Sequence, residues 1–316
     1  MPVEAHTAAL LAQVADLDGP KIHESTVADA RQMMVASLPD VPQVPVARVE
    51  DRTIEGPRGA IALRLYWPEH SDDSSSGPLA LHVFFHGGGW VVGNLDTHDE
   101  ICRELCSGAG LLVVSVDYRL APEHPFPAGL EDCYAAVCWA SSHATELGAR
   151  SDAVSIGGDS AGANLAAAVA IMARDRKGPE LAFQLLAYPV TDQAMDTASY
   201  RDYADGYLLS RDLMDWFWSH YCPQPSDRTD PLASVLKAPN LNGLPSALIM
   251  TAQYDPLRDE GEAYGERLKG AGVGVQLHRL DGLIHGFLSQ VGYIKAARSA
   301  LRVAVDTLRE AHEGFI

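Results

Sequence analysis

Apolar residues recur along this chain in two rhythms. Short unbroken runs cover Leu79 to Phe85, Leu111 to Val116, Ala153 to Ile156, Phe183 to Tyr188 and Ser246 to Met250. Each is too short for a helix and has the continuous apolar character of a strand buried on both faces. Between them, stretches with helical spacing run from Thr97 to about Ala109, Leu130 to Leu147, Ala161 to about Arg174 and Arg258 to Lys269. Thr97-His98-Asp99-Glu100 fits a capping box at the start of the first of these. Earlier, Val46 to Arg52 and Ile61 to Trp67 flank Gly56-Pro57-Arg58-Gly59 and predict an antiparallel hairpin. Val273 to Leu280 completes the strands, and Val291 to Glu310 predicts a terminal helix. Strands alternating with helices predict the α/β class: a mostly parallel eight-stranded sheet with helices on both faces.

The rhythm is interrupted in two long segments. Residues 1–45 carry two short helical segments, Ala8 to Val14 and Val27 to Leu38, closed by Pro39, Pro42 and Pro45. Thr191 to Ala238 concentrates Trp216, Phe217, Trp218 and Tyr221 with Pro223, Pro225 and Pro231, and reads as helices and loops inserted above the sheet. The expected division is therefore 1–45 as N-terminal cap helices, 46–190 as the first part of an α/β domain, 191–238 as a cap insertion and 239–316 as the second part. Ser71 to Gly77 reads as a polar loop.

Charge narrows the partners. The 24 Lys and Arg stand against 42 Asp and Glu among 316 residues, a formal net charge of −18. Such a surface repels nucleic acid and anionic membrane, so neither is expected as a partner. The acidic residues are scattered, as on a solvated surface, rather than blocked into a tail. Cys102, Cys106, Cys133, Cys138 and Cys222 are odd in number and form no C-x-x-C pair, which predicts reduced thiols and a cytoplasmic location. No basic, then apolar leader opens the chain, and no run of about 18 apolar residues occurs. Neither a metal-ligand cluster nor a nucleotide fingerprint is present, so no cofactor is expected.

The chemistry gathers around Gly158-Asp159-Ser160-Ala161-Gly162. This G-x-S-x-G follows an apolar strand and opens a helix, the setting of a nucleophile elbow. A serine hydroxyl is a poor nucleophile until an imidazole takes its proton and a carboxylate orients that imidazole. Asp255 follows the run ending at Met250, and His285 follows the run ending at Leu280. Both fall at the carboxyl ends of strands, where open α/β sheets build their sites. Asp259 and Asp281 are rival acids, and Asp255 could instead cap the helix after Pro256; His278 and His86 are the other nearby imidazoles. His86-Gly87-Gly88-Gly89-Trp90 follows the strand Leu79 to Phe85. Its glycines expose backbone N–H groups, so Gly88 and Gly89, with Ala161 after the serine, are candidate donors to a developing oxyanion.

Together these residues resemble the bacterial hormone-sensitive-lipase-like carboxylesterases of the alpha/beta-hydrolase superfamily. Asp117-Tyr118-Arg119-Leu120-Ala121-Pro122-Glu123, Phe126-Pro127-Ala128, Asp255-Pro256-Leu257-Arg258-Asp259 and His285-Gly286-Phe287 add to the likeness. Ala163 departs from it, since many relatives have glycine there. The resemblance implies an alpha/beta-hydrolase fold with a helical cap, a triad of Ser160, Asp255 and His285, and an oxyanion hole of Gly88, Gly89 and Ala161. It also implies small or medium acyl esters as substrates and, in many members, a homodimer. Trp90, Tyr207, Leu208, Leu209, Trp216, Phe217 and Phe287 are candidate pocket residues. Lipase, amidase and lactonase chemistry use the same machinery. A non-catalytic ligand-binding branch of the family lacks the histidine, which is present here as His285.

Overall fold

The computed structural model describes residues 2–16, 19–38, 42–69 and 77–313. Pro39 and most of the polar loop expected from Ser71 to Gly77 lie outside the described residues. The strands are β1 (Arg48–Gly56), β2 (Gly59–Trp67), β3 (Leu79–Phe85), β4 (Leu112–Asp117), β5 (Ala149–Asp159), β6 (Phe183–Ala187), β7 (Ser246–Tyr254) and β8 (Val275–Ile284). The helices are α1 (Ala5–Ala15), α2 (Val27–Ala36), α3 (Asp99–Ala109), α4 (Ala128–Ser142), α5 (Ala161–Asp175), α6 (Ala198–Asp202), α7 (Arg211–Tyr221), α8 (Pro225–Arg228), α9 (Arg258–Gly270) and α10 (Lys295–Glu313).

All eight strands form one sheet in the order β1-β2-β4-β3-β5-β6-β7-β8. β2 pairs antiparallel with β1 and β4, and every other pairing is parallel. Side chains alternate across the pleat, and this splits the core into two layers. Leu81, Val83 and Phe85 of β3 face a layer built with α4, α5 and α9. Phe84 of the same strand faces a layer built with α3 and α10. Right-handed crossovers explain the split: the path from β3 back to β4 puts its helix on one face, and the forward paths to β5, β6 and β8 put theirs on the other. α5 is buried without a break from Ala161 to Ala173, as expected of a helix apolar all round. α10 buries Ala297, Ala300, Leu301, Ala304 and Leu308, a single stripe against α3.

This order also places the site. β4 leaves β3 on one side and β5 leaves it on the other. The loops after β3 and β5 therefore part at a switch point at the carboxyl ends of the strands, the place where open α/β sheets build their sites.

Several boundaries differ from those expected. β5 begins at Ala149 because Ala149 already pairs with Leu79; the polar Arg150-Ser151-Asp152 follows in an irregularity of the register before Val154 pairs with Leu81. α4 stops at Ser142, and α10 starts only at Lys295, after a turn at Phe287–Gln290. The capping box at Thr97 does not form. Thr97 Oγ1 turns back to accept the Asn94 N–H at 2.9 Å, and His98 takes the N-cap position of α3 without a side-chain cap bond.

Helix α2 and the segment between β6 and β7 both pack against the loop after β3, while α1 packs against β8. Arg31 of α2 donates to the Val91 carbonyl at 2.9 Å and pairs with Glu123 at 2.7 Å. Tyr221 of α7 stacks flat on Trp90 at 4.1 Å, with Trp218 tilted beside it at 4.8 Å. Lys21 reaches Asp205 at 3.5 Å, joining the two segments. All five cysteines are free thiols, and no described helix is long and apolar enough to cross a membrane.

Candidate active site

Ser160 stands where β5 breaks into α5. Its φ of 55° and ψ of −118° lie in a region a side-chain-bearing residue rarely adopts, which is local strain of the kind stored at reactive turns. Two absent side chains permit the turn. A Cβ on Gly158 or on Gly162 would run into the Phe85 carbonyl. The Ser160 N–H is tied to the Ala187 carbonyl at 2.9 Å, while its hydroxyl caps nothing in α5.

That hydroxyl meets His285 Nε2 at 2.9 Å, and His285 Nδ1 meets Asp255 Oδ2 at 2.8 Å. Asp255 is 0% exposed and Ser160 8% exposed, so the chain of bonds is largely shielded from solvent. The acid also serves the local backbone. Its Oδ1 accepts the Leu257 N–H at 2.8 Å in a local turn ahead of α9, so one carboxylate braces its own turn and meets the imidazole at once, without capping the helix. The rivals are placed elsewhere: Asp259 accepts the Ser199 N–H at 2.8 Å, Asp281 is exposed, and His278 lies in β8. Tyr188 packs its ring against the His285 ring at 4.8 Å, and Phe287 packs behind Tyr188 at 4.8 Å.

The glycine loop faces this line. His86 lies flat on Tyr118 at 4.3 Å, and the Tyr118 hydroxyl donates to the His86 carbonyl at 2.8 Å. Burial, with His98 beside it, pushes the His86 imidazole down to about 3. It is therefore neutral, and its Nδ1–H donates to the Gly87 carbonyl at 2.8 Å. The Gly88 carbonyl accepts from Val91 at 3.1 Å and Val92 at 2.9 Å, which turns the loop. Gly88 and Gly89 take φ of 111° and 57°. Among the described residues neither of their N–H groups has a protein acceptor. Ala161, first in α5, contributes one of the N–H groups that a helix start leaves without an internal partner. Fixed, unpaired donors beside a serine hydroxyl are what a developing oxyanion requires.

The matched family model describes an alpha/beta hydrolase fold and covers residues 82–289, from β3 through the histidine. The chain belongs to the alpha/beta-hydrolase fold family. It is 42% identical over 288 residues to the esterase LipI of Mycobacterium tuberculosis, covering 90% of this chain and 89% of that protein. It is 46% identical over 281 residues to the carboxylic ester hydrolase LipN of the same organism, covering 86% of this chain and 73% of that one. The crystal structure of a thermostable esterase from Pseudomonas putida superposes with a TM-score of 0.93 at 37% identity, covering 98% of both chains. These relatives are esterases, in agreement with the hormone-sensitive-lipase-like resemblance.

The alpha/beta-hydrolase frame also contains a second serine–histidine contact. Ser155 Oγ lies 2.9 Å from His82 Nδ1 and 2.9 Å from His312 Nε2, in mid-strand on β5. Burial pushes His82 down to about 3 and His312 to about 4, so both are neutral. No carboxylate hydrogen-bonds either ring among the described residues, and the group pins α10 to the sheet.

The candidate pocket residues fall into two groups. Trp90 and Phe287 are buried, the first held by the Tyr221 stack and the second behind Tyr188. Phe217 is placed directly over Gly89, with Trp216 edge-on to it at 5.4 Å. Tyr207 stacks on Tyr254 at 5.2 Å, Leu208 is exposed and Leu209 is buried. The sequence pattern does not mark Tyr188 or His98 as site residues. Tyr188 reads as the end of an apolar strand and His98 as filler in a capping box, so periodicity gives no signal for either.

Proposed function

We propose that the protein is a serine carboxylesterase that hydrolyses short- to medium-chain acyl esters through an acyl-enzyme. The observation that carries this reading is the continuous line Ser160 Oγ, His285 Nε2, His285 Nδ1 and Asp255 Oδ2, with contacts of 2.9 and 2.8 Å. Ser160 Oγ attacks the ester carbonyl carbon as His285 Nε2 takes its proton. Asp255 holds the Nδ1–H and stabilises the imidazolium. The carbonyl oxygen gains negative charge and is met by the N–H groups of Gly88, Gly89 and Ala161. The tetrahedral centre collapses, the C–O bond to the alcohol breaks, and His285 returns its proton to the leaving oxygen. Water then attacks the acyl-enzyme with His285 again as base, which releases the carboxylic acid and restores Ser160.

The segments 1–45 and 191–238 act as a cap in this reading, supported by their contacts with the loop that bears Gly89 and Trp90. Phe217, Trp216, Tyr207, Leu208 and Leu209 then bound the acyl or alcohol side. Each buried methylene contributes roughly 0.8 kcal/mol until such a bounded pocket is full. With a p-nitrophenyl ester series, kcat/KM is expected to peak between about C2 and C8 and to be small at C16. A steady rise to palmitate would show that the cap opens as a lipase lid.

Gly89 supplies a second test. A Cβ there lands inside the Phe217 ring, and φ of 57° disfavours any side chain. Gly89→Ala is expected to lower kcat by at least about tenfold with KM within about threefold, because the donors act chiefly in the transition state. A folded Gly89→Ala protein with unchanged kcat counts against the oxyanion assignment.

A further inference from the structure

The oxyanion hole is assembled from two separate pieces of chain. Gly88 and Gly89 ride on the loop after β3, and Ala161 on the elbow after β5. Something must hold these pieces in register, and a run of three glycines is the least able to hold itself. We propose that Asp159, backed by His98, is a positioning residue that clamps the glycine loop to the nucleophile elbow. This deepens the ester-hydrolase reading and rests on Ser160 being its nucleophile.

Asp159 ends β5 and is covalently next to Ser160. Its Oδ1 accepts the Gly87 N–H at 2.8 Å, one residue before the first donor glycine. The approach is direct because Gly87 has no side chain: a Cβ there would sit 2.9 Å from the Asp159 carboxyl carbon. His98, at the start of α3, places Nε2 3.2 Å from the same Oδ1, and its Nδ1 is 2.9 Å from Thr97 Oγ1. The Tyr188 hydroxyl lies 3.5 Å from Oδ2, and the ring of that tyrosine packs on His285. One carboxylate thus touches the loop, the elbow and the residue that backs the base.

Burial favours a different residue here. Asp159 is 4% exposed and His98 1% exposed. Desolvation pushes the carboxyl up, but His98 and the Gly87 N–H outweigh it and hold the group below the usual carboxylate range. A buried carboxylate is seldom the most stable filling for such a space. The clamp gives the charge a use. A carboxylate accepting the Gly87 N–H fixes the loop's entry, and donors fixed beforehand need no reorganisation when the oxyanion forms.

The test compares turnover of p-nitrophenyl butyrate with binding of a trifluoromethyl ketone, which forms an oxyanion-bearing adduct with the serine. Asp159→Ala is expected to lower kcat by about 10²-fold, to leave KM within about threefold, and to weaken the ketone by a factor matching kcat/KM. Asp159→Asn keeps a carbonyl oxygen for the Gly87 N–H and is expected to recover at least about tenfold of that loss. If the alanine variant does not fold, Asp159→Asn and His98→Gln decide, and in each kcat and ketone affinity must fall together. Unchanged kcat in a folded Asp159→Ala protein overturns the clamp. So does a fall in kcat with ketone affinity intact, or an asparagine variant no better than alanine. Failure of the underlying reading is separate, because it appears in the wild type as a ketone that does not bind at Ser160.

Discussion

Replacing Ser160 by alanine is expected to lower ester turnover by at least about 10³-fold while leaving a folded protein. The size of the loss follows from what is removed. Without Oγ there is no acyl-enzyme, and what remains is water attack on an ester held near the donors of Gly88, Gly89 and Ala161. Ser160 caps nothing in α5, and its N–H bond to Ala187 belongs to the backbone, so the substitution removes one hydrogen bond, that to His285 Nε2. Circular dichroism and thermal melting on the variant, beside kcat/KM with p-nitrophenyl butyrate, separate lost chemistry from lost fold. Activity retained within about tenfold would assign the nucleophile elsewhere.

The second large effect is expected at Asp255. Its two oxygens have separate duties, Oδ2 to His285 and Oδ1 to the Leu257 N–H. Asp255→Asn can keep the second bond, so stability changes little. It removes the charge that holds the imidazole in the productive tautomer, and kcat is expected to fall by about 10⁴-fold. Asp255→Ala removes both duties and is expected to cost about 1 kcal/mol more from the lost hydrogen bond to the Leu257 N–H alone. Asp281→Asn is the control. Asp281 is exposed, and its substitution is expected to leave kcat unchanged. The reverse result, with Asp281→Asn inactive and Asp255→Asn active, would overturn the acid assignment.

Much of this arrangement is legible in sequence because burial on both faces forces continuous apolar runs. Leu79 to Phe85 and Phe183 to Ala187 announce themselves in that way, and the glycine loop and elbow sit directly after such runs. Polar residues at strand ends are not legible. Arg150-Ser151-Asp152 belongs to β5 and Asp281-Gly282 to β8, yet hydropathy breaks at both. The same blindness hides the clamp. Asp159 reads as a variable letter inside G-x-S-x-G, and the Thr97-His98-Asp99-Glu100 pattern satisfies a helix-start rule that the chain does not use. Only the convergence of β3, β5 and α3 brings Gly87, Asp159 and His98 together. The aromatic contact of Trp90 with Tyr221 is hidden for the same reason, being a tertiary meeting of residues far apart in sequence.

In the proposed mechanism Ser160, activated through His285 and Asp255, forms a covalent acyl-enzyme. Incubation with a fluorophosphonate, followed by intact-mass measurement and peptide mapping, tests it most directly. One equivalent of adduct per chain is expected, on the peptide containing Ser160, formed in step with loss of esterase activity and absent from Ser160→Ala. Adduct on another residue, or full inactivation without adduct at Ser160, would contradict it.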